Sequence, residues 1–121
     1  MSHFKDNESY LHNHAIKVLE QWINKSPERF GISELLRTEK ERTLCVGGNI
    51  IFKPDLIAYE TNGISKFFEV CYTNPVSFYK LNRIQWFCGL HNWKIQLFEI
   101  KAEYIMKRTG IPLYPEMKQL I

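Results

Sequence analysis

Apolar residues recur at helical spacing from about Asn7 to Lys25, where Leu11, Ala15, Val18, Leu19, Trp22 and Ile23 share one side and Ser26-Pro27 ends the run. After a loop containing Gly31 the period shortens. Glu34 to Val46 reads as extended chain that turns at Gly47-Gly48-Asn49. Two strand-like runs follow, Ile50 to Tyr59 and Ser65 to Tyr72, joined by the turn signal Thr61-Asn62-Gly63. Thr73-Asn74-Pro75 combines capping residues with a proline suited to a first helical position, so Val76, Tyr79, Leu81, Ile84 and Phe87 form a second helix closed by Gly89. Trp93 to Phe98 alternates as a strand, Ala102 to Arg108 forms a last short helix, and Pro112 and Pro115 break the tail. The predicted order is αβββαβ in a single α/β domain over residues 1–121, with its core at about 7–100 and a C-terminal helix and tail over 101–121. No repeat or linker divides it.

The hairpin within that order brings two acids together. Asn62 lies midway between Asp55 and Glu69 in the sequence. A three-residue loop centred there pairs the two across the strands, with Cβ atoms about 5 Å apart. Facing like charges destabilise a hairpin unless compensated, and a divalent cation held by hard carboxylate oxygens is the compensation expected. The same register sets Lys53 opposite Cys71, on the face of Asp55 and Glu69.

Composition narrows the class. At 121 residues and 45% hydrophobic, the chain is long enough to bury one core without cross-links. Cys45, Cys71 and Cys88 are odd in number and form no C-x-x-C pair, which argues against a disulfide framework or a zinc ribbon. No apolar run approaches membrane-spanning length and the first residues have no signal-peptide core, so the expectation is a soluble cytoplasmic protein without membrane association. The net charge of +3 is uneven: residues 75–121 carry seven Lys/Arg against three Glu, residues 1–74 nine against ten acids. A basic half beside an acidic pair suits a polyanion drawn to a bound metal, although a solvated helix face gives the same count.

These residues carry a resemblance. Pro54-Asp55, followed by Glu69-Val70-Cys71 in an αβββαβ order, resembles the PD-(D/E)XK nuclease superfamily over roughly residues 7–100. Glu8-Ser9 with His12 and Lys17 on the first helix, and Leu81-x-Arg83 after the Glu69 strand, resemble most closely the small nuclease-like domains of the competence protein CoiA type, with Holliday junction resolvases a second comparison. The resemblance implies a restriction-endonuclease-like core and a Mg²⁺- or Mn²⁺-dependent DNA endonuclease. Asp55, Glu69 and the Val70 carbonyl would hold the metal, with Glu8 as third acid and Cys71 at the end of the metal-facing run. It also implies pairing into homodimers, so that two sites meet two strands.

One position departs from the pattern. Cys71 stands where the family has its lysine, and a neutral thiol cannot supply the positive charge that steadies an attacking water. The hairpin register offers Lys53 in its place, and Lys80 on the second helix is another candidate. Lys80 and Arg83, three residues apart, suit phosphate contact. The competing reading is a module that keeps the fold and binds DNA or protein without turnover. Each residue also has a plainer account: an acid such as Glu8 is favoured in any first helical turn, the lysines and His12 suit a solvated surface, and Trp22, Phe67, Phe68, Trp86 and Trp93 suit a core. His12-Asn13-His14 is not an HNH motif, whose residues are dispersed around a different fold.

Overall fold

The computed structural model describes the backbone of residues 3–121 and the side chains of residues 10–121. The first helix, α1 (His3–Lys25), buries Ala15, Ile16, Leu19, Trp22 and Ile23 and ends in a short 3₁₀ turn, Pro27–Phe30. Gly31 closes that turn at φ +72°, a conformation most side chains resist. The strands are β1 (Leu35–Lys40), β2 (Leu44–Val46), β3 (Asn49–Phe52), β4 (Leu56–Glu60), β5 (Ser65–Cys71), β6 (Ile95–Lys101) and β7 (Lys118–Gln119), with helices α2 (Phe78–Leu90) and α3 (Ala102–Met106) on either side of β6.

The main sheet runs β1-β4-β5-β6-β7 and is mixed: β1, β4 and β5 are successively antiparallel, β6 is parallel to β5, and β7 is antiparallel to β6. A crossover containing α2 makes the parallel step, as two adjacent parallel strands require. Strand β5 is covered on both faces. Phe68 and Val70 pack under α1 and α3, whereas Phe67 packs with Ile57, Leu97, Ile84 and Phe87 under α2. Such a strand reads as a continuous apolar run, which makes a buried carboxylate at Glu69 an exception.

Several sequence expectations change: Glu34 to Val46 divides into β1 and β2, and the tail adds the edge strand β7. Residues 50–59 do not form one strand: β3 pairs only with β2 in a separate hairpin, and the chain breaks at Lys53-Pro54-Asp55 before β4 begins. Proline has no N–H for the ladder, which accounts for the interruption. The second helix starts at Phe78 rather than near Pro75, because Ser77 is the residue whose hydroxyl caps it, accepting from the Lys80 amide at 3.1 Å. Among the described residues no helix is long and apolar enough to cross a membrane.

Candidate active site

The β4–β5 register pairs Leu56 with Phe68, Ile57 with Phe67 and Tyr59 with Ser65, so Asp55 meets Glu69 one step beyond the last ladder pair. Two reciprocal bonds fix them. The Asp55 amide donates to Glu69 Oε2 at 2.9 Å, and the Val70 amide donates to Asp55 Oδ2 at 2.8 Å. Each carboxylate thereby takes a backbone donor from the other's strand.

Two basic side chains reach this pair from the two helices. From α1, His12 Nε2 lies 2.9 Å from the Val70 carbonyl oxygen and 3.3 Å from Asp55 Oδ2. From α2, Lys80 Nζ forms an ion pair with Glu69 Oε1, joining a half-exposed ammonium to a carboxylate only 2% exposed. The Ser77 cap and a bond from the Val76 amide to Glu99 Oε2 (2.7 Å) hold the start of α2, and so aim Lys80. His12, Asp55, Glu69, Val70, Cys71 and Lys80 all line one open cavity of about 430 Å³, walled further by the 72–77 loop.

Burial pushes the Glu69 carboxyl up to about 7; the Asp55 charge adds to this and Lys80 opposes it. His12 is raised above its ordinary value chiefly by its hydrogen bond to Asp55, against the effect of burial. Cys71 is pushed up to about 12, first by burial and then by the Glu99 and Glu69 charges, so its thiol is neutral. In the native state Glu69 holds its proton to about 7, against 4.5 for an ordinary carboxyl, so the folded protein binds more protons between those values and loses stability as pH rises through them. The His12 contribution is fully present below 6.5 and is lost as pH rises through its raised native value, so both groups act in the same direction. In chelator, wild type is therefore expected to lose stability relative to Glu69→Gln as pH rises from about 4.5 through about 7, measured by urea melts. A difference that stayed flat or rose with pH would contradict the assignment.

The remaining sequence candidates separate. Lys53 is exposed and does not line the cavity, because pairing with β5 ends before it; Cys71 instead has Lys101 as its β6 neighbour. The Glu8 side chain lies outside the described residues. Arg83 is turned away, donating to the Ile50 carbonyl at 3.2 Å and covering the Tyr79 ring. Of the five aromatics assigned to a core, Trp86 is exposed, while Trp22, Phe67 and Phe68 are buried. Sequence reading undervalued His12 and missed Glu99. Position 12 extends the stripe of Ile16, Leu19 and Ile23 by one helical turn, a signal that it faces inward. Glu99 had no comparable signal, since only the parallel register places it beside Glu69.

No family model, curated protein or solved structure matches the chain.

Proposed function

We propose that the protein is a metal-dependent endonuclease of the PD-(D/E)XK type that hydrolyses DNA phosphodiester bonds at the Asp55–Glu69 cavity. The observation that carries this reading is the pair of reciprocally latched carboxylates on the floor of an open cavity, with a lysine against one of them. A purely structural hairpin gains little from such a pair, because facing like charges repel and burying them adds a desolvation cost. The donor set fits a hard divalent cation, Mg²⁺ or Mn²⁺: Asp55 and Glu69 offer carboxylate oxygens and Val70 a carbonyl. When bound, that ion would neutralise the scissile phosphate and lower the pKa of an attacking water.

The chain's own residues supply the rest. Lys80, rather than Lys53, places a positive charge at the site and stands in for the lysine that Cys71 displaces. Phe78, Tyr79 and Asn82 beside it on α2 are exposed, on a surface that a phosphate backbone can reach. The binding-module reading draws on a different observation. Among the described residues no group of three or more His, Cys, Asp or Glu side chains is arranged to hold a metal, and His12 and Lys80 already neutralise the two acids.

Melting curves with and without Mg²⁺ or Mn²⁺, run beside a plasmid-nicking assay, decide between them. Metal at a hundred times its dissociation constant is expected to add about 2.7 kcal/mol, raising Tm by several degrees, and Asp55→Asn is expected to abolish both the shift and nicking. A metal shift without cleavage by wild type favours the module, and equal shifts in wild type and Asp55→Asn place the metal elsewhere.

A further inference from the structure

The His12 side chain has a place in the cavity that the Asp55–Glu69 pair does not explain. Among the described residues it is the only side chain from α1 that lines the cavity, and the helix holds it rigidly through the buried Ala15, Ile16 and Leu19 that follow. Its Nε2 stands 2.9 Å from the Val70 oxygen and 3.3 Å from Asp55 Oδ2, two of the oxygens that the proposed metal would use. Adjacent ligands on an octahedral ion with bonds of about 2.1 Å are separated by about 3 Å. The spacing between Nε2 and the two oxygens is therefore that of neighbouring ligands in one shell.

We infer that His12 is a protein ligand of the cation, its Nε2 joining Asp55 and the Val70 carbonyl to make a mixed nitrogen–oxygen site that selects Mn²⁺ or Co²⁺ over Mg²⁺. The inference rests on the metal site proposed above and specifies its chemistry. Mg²⁺ prefers oxygen donors and sheds water reluctantly, whereas imidazole nitrogen binds later divalent ions increasingly well along the first transition row. Without the ion, Nε2–H donates to the Val70 carbonyl; ligation replaces that proton, which is released to solvent, leaving a neutral imidazole with its remaining proton on Nδ1 and the Nε2 lone pair on the ion.

Metal-free wild type, His12→Gln and Asp55→Asn are titrated with Co²⁺ and separately with Mg²⁺ by calorimetry, with far-UV circular dichroism to verify folding. Wild type is expected to bind Co²⁺ at least about tenfold more tightly than Mg²⁺, and His12→Gln to lose about tenfold or more in Co²⁺ affinity while changing little towards Mg²⁺. Spin-echo modulation of Mn²⁺ bound to wild type, which requires no variant, is expected to show a directly coordinated imidazole nitrogen. Absence of that nitrogen overturns the inference, as does His12→Gln binding Co²⁺ as tightly as wild type or more tightly, the mark of a histidine that merely blocks the site. In those cases loss of both ions by Asp55→Asn leaves the carboxylate site standing. Folded wild type that binds neither ion overturns both the metal site and the ligand.

Discussion

Lys80→Ala is expected to lower the single-turnover rate of plasmid cleavage at saturating metal by a hundredfold or more, on the order of 3 kcal/mol, while Lys53→Ala cleaves nearly as wild type. The ammonium of Lys80 is the cation fixed against Glu69, aimed by a capped helix whose first turn is tied to Glu99. Lys53 lies exposed at the break between β3 and β4. A preorganised charge is worth far more than a mobile surface one, since it needs no reorganisation when negative charge develops on the phosphate. DNA affinity at fixed salt is expected to change little, because removing one cation lowers the salt-dependent part of binding by about one charge. Adding Cys71→Lys to Lys80→Ala is then expected to restore part of the rate, because Cys71 lines the same cavity and stands two residues beyond Glu69 on β5. If Lys53→Ala is inactive and Lys80→Ala is not, the charge reaches the site by a route other than α2.

The contrast between these lysines shows which features were legible in the sequence. The Asp55–Glu69 register follows from the turn at Asn62 and the alternation of its flanking strands, both local properties, and the same pairing continues through Tyr59 and Ser65. Extending that register to Lys53 fails because Pro54 ends the ladder, and the β2–β3 hairpin takes the residues before it. The succession of α1, an extended region, α2, β6 and α3 was readable from apolar periodicity, but the division of residues 34–60 into β1 to β4, the edge strand β7 and the N-terminus of α2 were not. Thr73, Asn74 and Ser77 are all capping residues, and the choice of Ser77 goes with a loop held by Glu99 across the sheet. Lys80 and His12 meet the acids only through the packing of two helices against opposite faces of β5, a relation with no local trace beyond the inward stripe of α1.

The same tertiary dependence governs an acid–base pair at the other end of β5. Lys66 Nζ donates to Glu60 Oε2 at 2.7 Å, with the two side chains only 7% and 1% exposed, and Glu60 Oε1 is buried without a hydrogen-bond partner. Removing the cation alone leaves a carboxylate that is only 1% exposed without its counter-charge. Lys66→Met is accordingly expected to cost about 3–5 kcal/mol in urea melts, at an unchanged m-value. Changing Glu60 and Lys66 together to Met removes the stranded charge and the orphaned oxygen at once, and is expected to return stability to near the wild-type value or above it. Since Lys66 lies near the start of β5 and Glu69 near its far end, the rise in Tm proposed for bound metal is expected in the double variant as well. A loss below about 1 kcal/mol in Lys66→Met would mean that water already screens the pair, and the double variant would then gain nothing.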